Sequence, residues 1–287
     1  MRKHRKLKHD PMDKIKISFI GCGNMGRGLI GGLIANGHSA DCICGSDVDA
    51  AQRQLVREQY GIEVLDDNVR AIQGADVVVL AVKPQIIRQT LEPLRGGLAQ
   101  GHPLLLSIAA GIRLEHLARW GGAHLGIVRV MPNTPALIRA GAAALCANAR
   151  ASAAQRNTAE AIMRSVGIIT WVEDEMLIDA VTALSGSGPA YYFYMMEVME
   201  QAGIKLGLSQ EQARILTLQT ALGAAKMALE SKDDPATLRR QVTSPGGTTE
   251  RALSVLRDGG FEELLTDALR AAYERAGELA RTPGDTS

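Results

Sequence analysis

The chain has 287 residues, of which 46% are hydrophobic and 22% charged, and its formal net charge is +1. This length allows two domains, and the composition is that of an ordinary globular protein. The near-zero charge gives no global indication of a nucleic-acid or membrane-surface partner, and the apolar runs are too short or too interrupted for the ~20-residue span of a transmembrane helix.

The chain starts with a basic run, MRKHRKLKH, and strand-like sequence begins only at Ile15. Two interpretations stay open, a basic arm for an anionic partner or a solvated extension, and we expect residues 1–14 to be a disordered basic extension. No apolar run follows the charges, so this segment does not have the pattern of a secretory signal.

Short apolar runs alternate with helical segments through the first part of the chain. The pattern predicts strands at 15–20, 41–45, 62–65 (or a turn), 76–82, 103–110, 126–131, 141–146 and 167–172, and helices at 24–36, 49–59, 113–119 and 152–165. Most of these strands are apolar throughout, as strands buried on both faces of a parallel sheet must be. We therefore predict an α/β fold, a Rossmann-type doubly wound sheet over residues 15–174.

Strand signals stop after about Trp171, and the rest of the chain predicts helices at 175–183, 189–206, 210–230, 249–257 and 261–281. Residues 175–287 are therefore predicted to form an all-α domain. The segment PAYYFYMMEVMEQAGIKLG has almost no polar stripe in its first half, so the helix must be buried on all sides. A domain this small has little interior for such a helix, which favours a helical dimer interface over a core helix within one subunit.

The four cysteines do not have the pattern of a metal site. Cys42 and Cys44 are two residues apart, which is not the spacing of the usual zinc pairs, and we interpret them as opposite faces of one buried strand. We predict no metal. Without an export signal, we expect reduced thiols and a cytoplasmic location.

A glycine-rich turn joins the first predicted strand to the first predicted helix. Gly21, Cys22, Gly23, Asn24, Met25 and Gly26 fit the pattern G-x-G-x-x-G. The first glycine makes the tight turn, the second lets a pyrophosphate approach the backbone, and the third lets the helix pack on the strand. The helix start then offers free N–H groups to phosphate, so we predict a dinucleotide site.

Asp47 lies twenty-one residues after Gly26, just past the second strand, where a dinucleotide fold places its ribose-binding residue. A carboxylate there accepts hydrogen bonds from a ribose 2′-hydroxyl and repels a 2′-phosphate, which favours NADH over NADPH. The alternative is that Asp47 caps a helix beginning near Val48 and that Ser46 meets the ribose.

Two further segments follow strands and should line the same groove. Ala81, Val82, Lys83 and Pro84 end the clearest strand, and ligands of open α/β sheets lie beyond the carboxyl ends of strands. Lys83 has the alternative of being a solvated end residue. Asn133, in the loop MPNTP, is placed to contact the nicotinamide ribose or amide, although the two prolines alone would make this a rigid loop.

Two turns of small residues precede helices in the second domain. The segment SPGGTT, residues 244–249, combines two glycines, three hydroxyls and a helix start, which is an anion cradle suited to a carboxylate. Its alternative is a plain turn with a threonine N-cap. The segment LSGSGP, residues 184–189, places Pro189 at the start of a long helix and has the alternative of a simple N-cap.

Together these motifs resemble the pyrroline-5-carboxylate reductases. The motifs FIGCGNMG, AVKPQ, SIAAG, MPNTP, LSGSGPAY and SPGGTT occur in that family's order and spacing from about Ile15 to Leu279. SPGGTT and LSGSGPAY are far more specific than the glycine pattern alone. The resemblance implies a Rossmann domain followed by a helical domain that intertwines with its partner, in dimers that often associate into decamers.

The resemblance also implies an activity, the reduction of 1-pyrroline-5-carboxylate to L-proline with NADPH or NADH, the last step of proline biosynthesis. It places Ser244, Gly246, Gly247, Thr248 and Ser187 at the substrate and Thr249 near the ring nitrogen, as the catalytic candidate. It also makes the segment LSGSGP a wall of the site near the nicotinamide. An alternative is another NAD(P)-dependent imine or β-hydroxyacid oxidoreductase of the same architecture. A β-hydroxyacid dehydrogenase would need a catalytic Lys on a helix, for which Lys205 and Lys226 are the only candidates. A 2-hydroxyacid dehydrogenase would need a His or an Arg, and no His lies beside a site motif.

Overall fold

A computed structural model describes residues 14–281, so the predicted basic extension lies outside the described residues except for Lys14. The described chain divides into two compact units, residues 14–186 with 272–281, and residues 187–271. The sequence analysis placed the boundary between the two domains near Asp174. The compact units part later, after Gly186, and the end of the last helix belongs to the first unit.

The first unit contains eight strands, β1 (Ile17–Ile20), β2 (Ile43–Ser46), β3 (Glu63–Leu65), β4 (Val77–Leu80), β5 (Leu104–Ser107), β6 (Ile127–Met131), β7 (Gly141–Ala147) and β8 (Gly167–Trp171). Its helices are α1 (Asn24–Ala35), α2 (Ala50–Tyr60), α3 (Asn68–Ala71), α4 (Ile87–Leu91), α5 (Arg95–Gly101), α6 (Leu114–Gly121), α7 (Ala153–Arg164) and α8 (Leu177–Val181). A π-helical turn, Thr182–Gly186, continues α8.

The strands form one sheet in the order β3-β2-β1-β4-β5-β6-β7-β8. The sheet reverses its strand order beside β1, as the predicted doubly wound fold requires. Every neighbouring pair is parallel except β6 and β7, which are antiparallel. The expectation of a parallel sheet is wrong at this pair. Only residues 132–140 connect the two strands, too few for the crossover that a parallel pair needs.

The core lies on both faces of the sheet, because successive residues of a strand point to opposite faces. On one face Phe19, Val79, Leu106 and Val128 pack with the apolar residues of α1 and α7. On the other face Ile20, Val78, Leu80 and Leu105 pack with those of α4, α5 and α6. This two-sided burial explains why β1, β4 and β5 consist of buried residues throughout.

Two local predictions need correction. Cys42 and Cys44 do not lie on opposite faces of one strand, because residues two apart in a strand share one face. In addition, β2 begins at Ile43 and Cys42 belongs to a short 3-10 turn. The short helices α3, α4 and α5 were not predicted, and each is too short to give a periodic apolar pattern.

The second unit is helical, with α9 (Gly188–Lys205), α10 (Gln210–Glu230), α11 (Pro235–Gln241), α12 (Thr248–Asp258) and the first part of α13 (Phe261–Arg281). Helices α9 and α10 pack as a hairpin. Only Gly188 of α9 is buried, and the consecutive side chains of Tyr192, Phe193 and Tyr194 are 65%, 63% and 68% exposed. Consecutive helical residues point about 100° apart, so α9 has apolar surface in several directions.

The alternative of a core helix within one subunit is therefore wrong for the described chain. A helix apolar in several directions needs a partner to cover it. None of the helices within residues 14–281 combines the length and apolar character needed to cross a membrane.

Candidate functional site

The glycine loop between β1 and α1 is shaped so that two of its positions admit only glycine. Gly21 has a φ of +95°, and a Cβ there would lie 2.7 Å from Val82 Cγ1 and 2.8 Å from Ala81 O. A Cβ at Gly26 would lie 2.4 Å from Gly21 O. The loop therefore packs directly on the residues that follow β4, and α1 packs directly on the loop.

The outer side of the same loop is open. A Cβ at Gly23 would have no atom within 4 Å. Helix α1 starts here without a side-chain cap and without an acidic residue in its first turn. Asn24 is exposed and Met25 partly exposed. The backbone N–H groups at this helix start are therefore available to a phosphate, which is the fit that a dinucleotide pyrophosphate requires.

Asp47 follows β2 and is tied to the glycine loop. Its Oδ2 accepts a hydrogen bond of 2.9 Å from the backbone N–H of Cys22, and its Oδ1 accepts one of 3.0 Å from the N–H of Asp49. The cap of α2 is Asp49, whose carboxylate accepts from the N–H of Ala51 at 2.9 Å. The alternative that Asp47 is the helix cap is therefore wrong, because the helix starts two residues later than that alternative assumed.

Ser46 does not face this site. It is fully buried, and its hydroxyl donates a hydrogen bond of 2.7 Å to Asn68 Oδ1. The prediction that its side chain can meet a ribose is at odds with this burial. The cation nearest in sequence, Arg53, donates from Nη1 to the carbonyl oxygens of Asp47 and Val48 at 2.9 and 3.0 Å.

The thiol of Cys22 lies under the loop and is fully buried. Burial, followed by the negative charge of Asp47, raises the pKa of Cys22 to about 12. Burial also raises the pKa of Cys44, to about 11, with a contribution from Glu63. Both side chains are therefore neutral thiols at physiological pH, and Cys22 serves as packing beneath the loop.

Ala81 and Val82, which follow β4, lie beside the glycine loop. The backbone N–H of Ala81 donates to Ile20 O at 2.8 Å. The backbone of Gly21 packs against Ala81 O and Val82 Cγ1. A 3-10 turn then begins at Pro84, with Lys83 at its start. Lys83 is exposed and has no ion pair with any described residue, so both of its interpretations stay open.

Asn133 follows β6, and its side-chain amide joins two separate segments. Its Oδ1 accepts from the N–H of Ala142 in β7 at 2.9 Å, and its Nδ2 donates to Ser185 O at 3.1 Å. Ser185 lies in the π-helical turn that ends the first unit. The segment LSGSGP thus begins at the carboxyl end of β6, where sequence analysis placed Asn133. Ser187 belongs to the second unit and starts α9 without a side-chain cap bond.

A buried ion cluster holds α8 to the sheet, and sequence analysis missed it. Arg129, in the middle of β6, pairs with Glu175 at 2.8 Å and with Asp179 at 3.8 Å. Arg113 lies 3.7 Å from Asp179, and the N–H of Leu114 donates to Glu175 at 2.8 Å. The available signal was an Arg within the otherwise apolar strand IVRVM.

The loop Ser244–Thr249 lies in the second unit and leads into α12. Gly246 has a φ of +73°, and a Cβ at Gly247 would lie 2.4 Å from Ser244 Oγ. The N-cap of α12 is Gly247, which offers no side-chain oxygen, so the alternative of a threonine cap is wrong. A cleft of about 490 Å³ beside the loop is lined by Gly246, Gly247, Glu250 and Arg251 among others.

One backbone N–H of this loop already contacts a carboxylate. The N–H of Gly246 donates to Glu250 Oε2 at 2.7 Å. The N–H of Gly247 donates to Ser244 O at 3.0 Å and closes the turn. Thr248, Thr249 and Glu250 form the first turn of α12, where backbone N–H groups lack partners within the helix. The loop therefore has the shape and polarity that the cradle interpretation requires, and Glu250 is a participant that sequence analysis missed.

Among residues 14–281, no histidine lies in either of the two loops. His38, in the loop after α1, and His116, within α6, are both buried. His116 stacks on Trp120, and burial lowers its pKa. Lys226, one of the two lysines considered for a β-hydroxyacid dehydrogenase, lies 3.8 Å from Glu230 on α10.

The doubly wound sheet, the glycine loop at the reversal of strand order and the acidic residue after β2 define a dinucleotide-dependent oxidoreductase. Comparison with known proteins narrows this class. A model described as pyrroline-5-carboxylate reductase dimerisation matches residues 175–279, and one described as NADP oxidoreductase, coenzyme F420-dependent, matches residues 16–111.

Among curated proteins, the chain is 52% identical to a pyrroline-5-carboxylate reductase of Pseudomonas aeruginosa over 95% of this chain and 100% of that protein. It is 36% identical to one of Arabidopsis thaliana, over 95% and 98%. Among solved structures, a reductase of this name from Coxiella burnetii has a TM-score of 0.90 at 46% identity, covering 94% of this chain and 100% of that one. One from Plasmodium falciparum with NADP bound has a TM-score of 0.83 at 31% identity, covering 94% and 99%. The chain belongs to the pyrroline-5-carboxylate reductase family.

Proposed function

We propose that this protein reduces 1-pyrroline-5-carboxylate to L-proline with a nicotinamide cofactor, the last step of proline biosynthesis. The observation that carries the proposal is similarity over the whole length of relatives that bear this name, up to 52% identity. The loop that the substrate would need, Ser244–Thr249, keeps its glycines, its hydroxyls and its place at a helix start.

The cofactor site is proposed at the carboxyl ends of β1, β2, β4 and β6. Gly21, Gly23 and Gly26 shape the phosphate loop, and Asn24 and Met25 start the helix that faces it. Ala81, Val82, Lys83 and Pro84 line the next part of the groove. Support comes from the fit described above, a loop closed to any Cβ on its inner side and open on its outer side.

We further propose that Asp47 favours NADH. Its carboxylate lies beside the phosphate loop, held by the N–H groups of Cys22 and Asp49, where it can accept a bond from the ribose 2′-hydroxyl. The same charge would repel a 2′-phosphate. Arg53 opposes this preference, because its guanidinium donates to the carbonyl oxygens of Asp47 and Val48 and its positive charge would attract a 2′-phosphate. The balance of these two charges sets the preference.

The substrate carboxylate is proposed to bind in the cradle formed by Ser244, Gly246, Gly247 and Thr248. That an N–H of this loop already contacts the carboxylate of Glu250 supports a site for this chemical group. Ser187, at the start of α9, is proposed as a second contact of the substrate.

The substrate is a cyclic imine, and protonation makes its imine carbon electron-poor. Bound NAD(P)H supplies the hydride that this carbon accepts. The protein's part is to align the two reactants, and alignment alone can contribute effective molarities of about 10⁵–10⁸ M. The hydroxyl of Thr249 is proposed to hydrogen-bond the ring nitrogen, and water can deliver the proton. No histidine or other protein base is needed for this step.

Self-association through the helical domain is part of the proposal. The family model for dimerisation matches residues 175–279, and α9 has apolar surface in several directions within one chain. We propose a homodimer as the basic unit, which can associate further into a decamer, and a cytoplasmic location.

The experiment is oxidation of NADH and NADPH, each titrated separately, by purified protein with 1-pyrroline-5-carboxylate, with L-proline measured as product. Turnover without proline formation, or no turnover with either cofactor, would refute the proposed function. An assay with a β-hydroxyacid and the oxidised cofactor tests the alternative function, because a β-hydroxyacid dehydrogenase would oxidise that substrate and a pyrroline-5-carboxylate reductase would not.

The cofactor preference has a matched pair of variants. Asp47→Asn and Asp49→Asn remove the same charge at positions two residues apart, and Asn remains an acceptable helix cap at position 49. We expect Asp47→Asn to shift the kcat/KM ratio toward NADPH by about tenfold, equivalent to about 1.4 kcal/mol. Asp49→Asn should leave the ratio within about twofold. Equal shifts in both variants would remove Asp47 from cofactor selection.

A further inference from the structure

The amide of Asn133 can take only one orientation in this structure. The N–H of Ala142 needs an acceptor and the carbonyl of Ser185 needs a donor, so Oδ1 faces β7 and Nδ2 faces the π-helical turn. These two bonds join the end of β6 to a segment 52 residues further along the chain. One N–H of the amide is left for any other partner. A side chain engaged in this way is better suited to hold a segment than to bind a ligand.

The segment that Asn133 holds is unusual. Residues Thr182–Gly186 form a π-helical turn, a rare geometry that is frequently found at functional sites. Two hydroxyls of this turn bond back to carbonyl oxygens one turn earlier, Thr182 to Ile178 at 2.7 Å and Ser185 to Val181 at 3.1 Å. These bonds stabilise the turn itself, but they do not fix it to the sheet.

Contacts with β6 and the residues that follow it fix the turn to the sheet. Arg129 pairs with Glu175 and Asp179 at the start of α8. A Cβ at Gly186 would lie 2.4 Å from Met131 Cε, so the end of the turn contacts the end of the Met131 side chain. Arg129, Met131 and Asn133 are alternate residues, which share one face of an extended chain. Of these three contacts, only that of Asn133 is a hydrogen bond to the backbone of the turn.

The position of this turn along the sheet matters for the cofactor. The phosphate loop follows β1, and Asp47 follows β2, so the adenosine half of a dinucleotide extends toward β2. The other half must then extend over β4, β5 and β6, beyond their carboxyl ends. Ser185 and Gly186 lie at the carboxyl end of β6, against Met131 and Asn133.

We propose that Asn133 is a positioning residue for hydride transfer, not a ligand of the cofactor. By its hydrogen bond to Ser185 O, Asn133 sets the position, relative to the end of β6, of the turn that borders the nicotinamide half of the groove. This inference rests on the proposed function, because it takes the nicotinamide to be the reacting part of the bound cofactor.

The test compares Asn133→Asp with a matched control, Asn148→Asp. Asp at 133 keeps the acceptor for Ala142 and loses the donor for Ser185. Asn148 is a similar brace at the other end of β6, where it accepts from Ile127 N–H at 3.0 Å and donates to Leu125 O at 3.0 Å. A merely structural role predicts similar losses in both variants.

We expect Asn133→Asp to lower kcat by about 10- to 100-fold, the effect of a misplacement on the order of 1 Å. The KM of the cofactor should stay within about twofold, and the primary deuterium isotope effect on kcat with 4-deuterated cofactor should rise. A rise in cofactor KM with unchanged kcat, or equal losses in Asn148→Asp, would overturn the proposal.

A direct binding measurement separates this inference from the proposed function. Titration of the full-length wild type and variants with NADH, read by nicotinamide fluorescence, needs no turnover. If the wild type binds NADH but reduces no imine, the proposed function fails alone. The inference then still predicts an unchanged Kd with altered nicotinamide emission in Asn133→Asp, and identical emission in wild type and variant would refute it.

Discussion

Replacing Arg129 with Met should destabilise the first unit more than any exposed charge change. The Arg129 side chain is 3% exposed and sits between Glu175 at 2.8 Å and Asp179 at 3.8 Å, the latter 4% exposed. Removing one partner of a buried ion pair costs about 3–5 kcal/mol, because a charge stays buried without compensation. Here Arg113 remains near Asp179 and Glu175 is partly exposed, so we take about 3 kcal/mol, the lower end.

For a unit of this size, about 3 kcal/mol corresponds to a fall in Tm of roughly 6–12 °C. The assay is thermal unfolding followed by circular dichroism at one fixed protein concentration, since association makes Tm depend on concentration. The control is Arg88→Met, which breaks an exposed pair with Glu92 and should lower Tm by no more than about 2 °C. Asp179→Asn should cost less in the Arg129→Met background than in the wild type. A Tm change no larger than that of Arg88→Met would refute the reasoning.

Two further predictions concern the loops. Thr249→Ala should lower kcat/KM for the imine by about 10- to 1,000-fold, the worth of one transition-state hydrogen bond, while Thr266→Ala, an exposed threonine of α13, changes nothing. Unchanged kinetics would remove Thr249 from the mechanism. With a pKa of about 12, the Cys22 thiol is ionised in roughly one molecule in ten thousand at pH 8. Iodoacetamide should therefore label the partly exposed Cys42 in the native protein and Cys22 only after unfolding, as read by mass spectrometry; rapid native labelling of Cys22 would contradict its burial.

The strands and long helices were predictable because burial leaves a direct trace in the sequence. Strands β1, β4 and β5 are buried on both faces and contain few polar residues, so their positions were predicted to within a few residues. The antiparallel direction of β7 was missed although the connection of 132–140 was too short for a crossover. The direction of β7 was therefore predictable from the length of the connection and not from the residue types of the strand.

The site was predictable where a motif is local and ambiguous where partners are distant. The glycine loop needed only its own residues and the adjoining strand. The choice between a ribose contact and a helix cap for Asp47 depended on where α2 begins, and the sequence offered two aspartates, of which Asp49 is the cap. The role of Asn133 depended on Ser185, 52 residues away, and the partner of Arg129 lies 46 residues away. Such pairs leave no periodic trace.

The hydrogen bond between Gly246 and Glu250 has a consequence for affinity. A backbone amide has one hydrogen, so a substrate carboxylate that takes this N–H must first displace the carboxylate that the helix itself provides. The backbone of the loop is thus already arranged around a negative oxygen, as the proposed binding of a carboxylate would require. Preorganisation of this kind lowers the cost of ordering the loop at the moment of binding, while the competing side chain weakens the final affinity and eases product release.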